Sequence, residues 1–159
     1  MQTEISAVVE RQRQYFAGGN TLDVKRRKKF LKALYRQIKE NLDGIHEGLK
    51  LDLGKSASES YMCETGLVLS ELSHMLKKMC GYARAKRVKT PLAQFASRSY
   101  RLPSPYGTVL VMSPWNYPFL LAIDPLIDAV AAGNTVVLKL SAYSPNTNAA
   151  IKKVISAVF

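Results

Sequence analysis

Two uninterrupted apolar runs, GTVLVM at residues 107–112 and TVVLKL at residues 135–140, limit what this chain can fold into more than any other feature. Neither alternates polar with apolar residues, which suits a strand covered on both faces, as in a parallel sheet. Parallel neighbours need a long crossover to return to the same edge. Residues 118–132 supply one, reading as a helix with Leu121, Pro125, Leu126, Ile127 and Val130 inward. Gly133-Asn134 closes that helix, and residues 148–159 begin another. Strand, helix, strand, helix over 107–159 predicts an α/β fold with right-handed crossovers. Ligands of such sheets bind beyond the carboxyl ends of the strands. The two most unusual stretches, SPWNYP and KLSAYSP, fall there.

Upstream, the period changes to that of helices. Ile5, Val8, Val9, Tyr15 and Phe16 fit one helical face, ended by Gly18-Gly19. Thr21 is placed to cap a second helix, with Asp23 in its first turn. Phe30, Leu31, Leu34, Ile38, Leu42, Ile45 and Leu49 then run in steps of three or four, predicting one long helix to Gly54. A third helix is expected from Ser58, with Tyr61, Thr65, Val68, Leu69, Leu72, Met75, Leu76 and Met79 as its stripe. Glu64 and Glu71 read as carboxylates on its surface. The segment 84–106 reads as a basic connector followed by an extended arm, since Pro103 and Pro105 suit an edge and not a central strand. The expected organisation is a helical region over 1–83, the connector and arm over 84–106, and the βαβα unit over 107–159.

Composition removes several function classes. The 159 residues are 47% hydrophobic, enough for one real core. The net charge of +11 raises nucleic-acid binding, but its placement argues against that reading. Only Lys139, Lys152 and Lys153 of the 23 basic residues follow Leu102, and no aromatics interleave with Lys25-Arg26-Arg27-Lys28-Lys29 to stack bases. That run reads as a solvated helix face, or one that meets acidic surface elsewhere in a larger protein, and no nucleic-acid partner is expected. The start carries both charge signs, unlike a signal peptide. Residues 119–132 are broken by Asp124, Pro125 and Asp128, so no membrane span is expected; the cysteines, read as reduced thiols, make the expected location cytoplasmic. Cys63 and Cys80 form no CxxC and read as packed, reduced thiols; His46 and His74 are too isolated for a metal site.

The corner MSPWNYPF follows the first strand. Pro114 and Pro118 fix φ on both sides and remove two backbone donors, which stiffens it. Asn116 then offers a neutral amide donor suited to a developing alkoxide, and Trp115 a wall against water or a flat ligand. The residues alone equally allow a packed turn in which Asn116 caps the next helix.

SPWNYPF followed by PLIDAVAAGNTVVLK at this spacing resembles the aldehyde dehydrogenase superfamily. QRQYFAGGNT, DLGKSASESYMCETG and VKTPLAQF through PSPYG agree, in order along nearly the whole chain, and are most similar to the class 3 or fatty-aldehyde branch and its bacterial relatives. The resemblance implies that residues 107–159 are the first half of a Rossmann-like NAD(P)-binding domain. It implies an NAD or NADP cofactor, an aldehyde substrate and a cysteine thiolate that forms a thiohemiacetal. It implies that Asn116 belongs to the oxyanion hole. It further implies that Met112, Ser113, Pro114 and Trp115 line the cofactor cleft, that Lys139 and Ser141 lie at the adenosine ribose, and that Tyr117 and Tyr61 lie at the substrate funnel. A homodimer is implied for the complete enzyme.

This sequence departs from the family in two ways. After the lysine the family often has proline, a small residue and glutamate, where this chain has Leu140-Ser141-Ala142. The family's glutamate holds the ribose hydroxyls and repels a 2′-phosphate, so Ala142 weakens the expectation of strict NAD use. Family members are also roughly three times this long. The resemblance therefore implies an amino-terminal piece, stopping inside an expected helix, with nucleophile and general base beyond it and no activity of its own. The alternative function is a catalytically dead remnant that acts only as a binding or assembly partner.

Overall fold

Residues 2–159 are described by a computed structural model. Helix α1 (Gln2–Ala17) ends where Gly19 turns left-handed at φ 72°. Helix α2 (Val24–Glu40) is capped by Asp23, whose carboxylate accepts from Lys25 N at 2.8 Å. Thr21, expected as the cap, is instead buried in the preceding turn. The long helix expected as far as Gly54 is two. Asn41 leaves helical geometry at φ −118°, ψ 18°, and its amide donates to Gln37 O at 2.8 Å. A side chain that bonds its own backbone competes with the helix ladder. Helix α3 (Leu42–Leu53) resumes the same stripe with buried Ile45 and Leu49, so periodicity alone could not detect the break.

The third expected helix is also composite. Ser56 caps α4 (Ala57–Ser60), a π turn follows at Tyr61–Thr65, and α5 runs Gly66–Tyr82. Gly66 N–H bonds Tyr61 O, and a Cβ at Gly66 would stand only 2.6 Å from that oxygen. Such π turns concentrate at functional sites. Tyr61, expected on the stripe, is exposed, whereas Glu64, expected on the surface, is completely buried.

The basic connector is partly structured. Strand β1 (Lys86–Val88) pairs antiparallel with β2 (Ser99–Arg101), joining Lys86 to Arg101 and Val88 to Ser99. Strands β3 (Thr108–Met112) and β4 (Thr135–Lys139) pair in parallel, with Thr108 opposite Thr135 and Met112 opposite Lys139. Helix α6 (Leu120–Ala132) crosses between them, and α7 (Pro145–Ser156) follows. This is the expected α/β arrangement, but the strands are not covered on both faces. Val111 is buried, while Leu110 and Met112 on the opposite face are 59% and 68% exposed. Among the described residues this sheet has two strands, and α1 and α6 cannot enclose both of its sides.

Within α6 the buried positions are Ala122, Ile123, Leu126, Ile127, Val130 and Ala131; Leu121 and Pro125, expected inward, are exposed. A proline on the open side leaves its missing hydrogen bond next to water. The last helix begins at Pro145, before the expected Asn148, and ends at Ser156. The core joins Leu31, Leu34 and Ile38 of α2 and Leu72 of α5 to Ile123 and Ile127 of α6 and Ile151 of α7.

One residue of the basic run is not solvated. Arg27 is buried and donates to Ala131 O and, at 3.2 Å, to Leu22 O. It thus places a cation at the carboxyl end of α6, where the helix dipole favours one. No helix among the described residues is long and apolar enough to cross a membrane.

Candidate functional site

The parallel register sets the ends of β3 and β4 side by side, Met112 against Lys139. Two loops, residues 113–119 and 140–144, therefore leave the same edge of the sheet. Ser113 N–H donates to Lys139 O at 3.0 Å, extending the ladder by one bond. The Ser113 hydroxyl lies 3.1 Å from both Pro114 O and Pro118 O, so its single proton serves either carbonyl and closes the loop on itself. Ser144 Oγ donates to Trp115 O at 3.4 Å and links the two loops. Lys55 Nζ donates to Asn116 O at 3.2 Å, and Leu121 N–H to Tyr117 O at 3.0 Å.

The carbonyls of Trp115, Asn116 and Tyr117 thus each have a donor of their own, and those of Pro114 and Pro118 share the Ser113 proton. The side chains of Trp115, Asn116 and Tyr117 are left exposed at the rim. The Asn116 amide makes no hydrogen bond to any described residue, and no side chain of its loop caps α6. Of the two readings open on residue chemistry, helix capping by Asn116 is therefore not the one adopted.

The cap comes from elsewhere. Glu64 Oε2 accepts Phe119 N–H at 2.9 Å and Leu120 N–H at 3.1 Å, while Glu64 Oε1 stands 2.5 Å from Lys55 Nζ. Lys55 also lies 4.1 Å from the centroid of the Tyr117 ring. Helix α7 is treated in the same way. Asp52 accepts Thr147 N–H at 2.7 Å, Asn146 N–H at 3.2 Å and the Asn146 amide at 2.8 Å. Burial pushes the Asp52 carboxyl up, but the bonds from Thr147 and Asn146 outweigh this and hold it below its ordinary value. Both helix N-termini beyond the strands are thus occupied by carboxylates of the helical region, and neither dipole is open to a second anion.

The other expected site residues divide. Lys139 is exposed at the strand end with no ion-pair partner among the described residues. Ser141 is buried, its hydroxyl accepting Tyr143 N–H at 3.3 Å and its carbonyl the Asn148 amide at 2.6 Å. Ala142 is exposed beside it. Tyr61 opens the π turn that carries Glu64 and is half-exposed. Cys63 is half-buried in that turn, Cys80 packs against the core from α5, and neither belongs to the corner. No metal-binding cluster occurs among the described residues. Sequence reasoning missed Asp52, Lys55 and Glu64. Glu64 left one signal: it stands four residues before Val68, which helical spacing puts on the buried side.

Hollows also lie away from this edge. One, of about 490 Å³, opens between α1, α2 and β4 and is lined by Val8, Tyr15, Phe30, Val136, Leu138 and Phe159. Another, of about 590 Å³, is bordered by Glu71, His74, Tyr82, Pro103 and Asp128.

The profile of the Aldehyde dehydrogenase family matches residues 1–158. Aldehyde dehydrogenase family 3 member F1 of Arabidopsis thaliana is 40% identical over 157 residues, which is 99% of this chain and 32% of that protein. The 4,4'-diaponeurosporen-aldehyde dehydrogenase of Staphylococcus aureus is 41% identical over 145 residues, 91% of this chain and 32% of that one. A solved substrate-bound state of Staphylococcus aureus AldH superposes with a TM-score of 0.95 at 39% identity, over 98% of this chain and 34% of that chain. The fold is shared at 21% identity and a TM-score of 0.85 with succinic semialdehyde dehydrogenase from Streptococcus pyogenes, solved in complex with NADP+, over 99% of this chain and 34% of that one. The chain spans about a third of the length of the curated relatives it matches.

Proposed function

From the premise that this chain belongs to the aldehyde dehydrogenase family, we propose that it works as the amino-terminal third of an enzyme oxidising aldehydes to carboxylates with NAD or NADP. The observation that carries this reading is Asn116: an exposed amide without a hydrogen-bond partner among the described residues, on a corner whose Trp115, Asn116 and Tyr117 carbonyls are each bonded. A fixed neutral donor of this kind stabilises an oxyanion that appears only during reaction.

A cysteine thiolate from outside residues 1–159 attacks the aldehyde carbonyl. The π electrons move to oxygen, and the Asn116 amide donates to the resulting alkoxide of the thiohemiacetal. Collapse of that alkoxide expels hydride and leaves a thioester, which water hydrolyses to carboxylate and free thiolate. The nicotinamide supplies the hydride acceptor. The residues at the strand ends suit such a dinucleotide. Lys139 offers an uncommitted cation to the ribose side, and Met112 and Trp115 offer exposed apolar surface. Pyrophosphate binding at the start of α6 or α7 is disfavoured, because Glu64 and Asp52 occupy those positions. Tyr117 and Tyr61 are assigned to the aldehyde's path. In the complete enzyme a homodimer is expected, with the exposed Leu92, Phe95 and Tyr100 near the β1–β2 pair as apolar surface for it.

The test uses residues 1–159 alone and grafted in place of the matching third of the Staphylococcus aureus 4,4'-diaponeurosporen-aldehyde dehydrogenase. The isolated chain should form no NAD(P)H from aliphatic or aromatic aldehydes. The graft should turn over, and Asn116→Ala in it should lower kcat by roughly 10²–10³ with cofactor KM unchanged. A graft indifferent to Asn116→Ala would sink the assignment. Turnover by the isolated chain, abolished by replacing Cys63 or Cys80, would overturn the placement of the nucleophile elsewhere.

A further inference from the structure

We propose that the buried Lys55–Glu64 pair is a positioning device for the Asn116 corner, with Lys55 as the residue that orients Asn116; the catalytic meaning of this rests on the reading of Asn116 given above. Lys55 is 8% exposed and Glu64 0%, and their charged atoms are 2.5 Å apart. Removing two charges from water costs about as much as their attraction returns, so such a pair is weak grounds for stability. Its other polar contacts all converge on one short segment. Lys55 reaches Asn116 O and the Tyr117 ring, and Glu64 reaches the amides of Phe119 and Leu120.

The two residues divide the work. Glu64 fixes where α6 starts. A neutral acceptor could do that alone, and would need no lysine. The charge on Glu64 draws Lys55 into the interior, and there Lys55 gives its second bond to the peptide oxygen of Asn116. That bond restrains the peptide from which the Asn116 amide projects. Ser144 and Leu121 N–H hold the neighbouring carbonyls, but among the described residues only Lys55 reaches this one from the helical region. Glu64 is fully enclosed with both oxygens engaged, so the pair acts through the corner and not on substrate.

Trp115, the chain's single tryptophan, is adjacent to Asn116 and half-exposed, so its fluorescence reports the corner without requiring turnover. The test is the 159-residue chain carrying Lys55→Met together with Glu64→Gln. Glutamine keeps an acceptor for Phe119 and Leu120, methionine fills the lysine stem's space, and no unpaired charge is left behind. Time-resolved anisotropy of Trp115 should gain a fast nanosecond component that is absent from the parent chain, with far-ultraviolet circular dichroism unchanged. Lys55→Arg, which keeps a charged donor, should retain the parent decay. Unchanged Trp115 anisotropy in a folded double variant would overturn the proposal. A double variant that fails to fold would overturn it equally, by making the pair a stability element. Loss of the alkoxide reading would show only in the Asn116→Ala graft, so the two failures are separable.

Discussion

Asp52 Oδ2 accepts the backbone N–H of Thr147 at 2.7 Å across 95 residues of sequence. A carboxylate of α3 thereby caps α7, as Glu64 caps α6. Asp52→Ala should destabilise the chain by about 1 kcal/mol at neutral pH, the usual cost of losing such a cap. The native carboxyl lies below its ordinary value of 3.8, so its contribution is present above that value and is lost as pH falls through the lower, native one. Urea midpoints of parent and variant should therefore converge in acid. A gap of constant size at every pH would mean that the charge is not what holds α7.

The same contact between α3 and α7 depends on Gly48. A Cβ there would stand 3.0 Å from Asn146 O and 3.1 Å from Thr147 Cα, both in backbone that cannot turn aside. Gly48→Ala should cost about 1–2 kcal/mol, overpacking outweighing the gain in helix propensity. Gly44→Ala in the same helix meets nothing within 4 Å and should stabilise by up to about 1 kcal/mol. Denaturant midpoints at unchanged slope would check the opposite signs.

On α6, Asp124 has a buried Oδ1 with no hydrogen-bond partner among the described residues. Burial pushes its carboxyl up, and the negative charges of Glu71 and Asp128 add to that. Burial and Glu71 also raise Asp128, with His74 opposing. A raised carboxyl contributes stability that is complete below its ordinary 3.8 and is lost as pH rises through the raised native value. Asp124→Asn should therefore raise the thermal midpoint at about pH 7, with the advantage fading towards about pH 3. An equal gain at both ends of that range would point to packing and not charge.

Ala142 follows the uncommitted Lys139 by three residues, and no carboxylate lies in KLSAYSP to repel a phosphate. Under the proposed function, Lys139 is free to pair with the 2′-phosphate of NADP. A charge-assisted bond of that kind contributes about 1.5–3 kcal/mol. The grafted enzyme should use NADP at least as well as NAD, and Ala142→Glu should shift kcat/KM towards NAD by about tenfold or more. Strong selectivity for NAD in the parent, unaltered by the glutamate, would place the choice outside this segment.

By itself the sequence determined the elements whose cause is local. The continuous apolar runs at 108–112 and 135–139 announced parallel strands, and Gly133, left-handed at φ 98°, announced the end of α6. The glycine follows from a steric rule that acts within a few residues, whereas the runs marked the strands without the two-sided burial that such runs usually reflect. The family motif likewise put Met112 to Tyr117 and Lys139 at one edge, because a crossover helix returns the chain there. Tertiary structure alone decided how that corner is held. A carboxylate off a helix's apolar stripe reads as solvated, since burying it unpaired would be prohibitive. Glu64 became tolerable inside only when Lys55 and the amides of Phe119 and Leu120, the latter 55 and 56 residues away, met it. No periodicity encodes that meeting: its partners come from different elements, and their bonds exist only once those elements have packed.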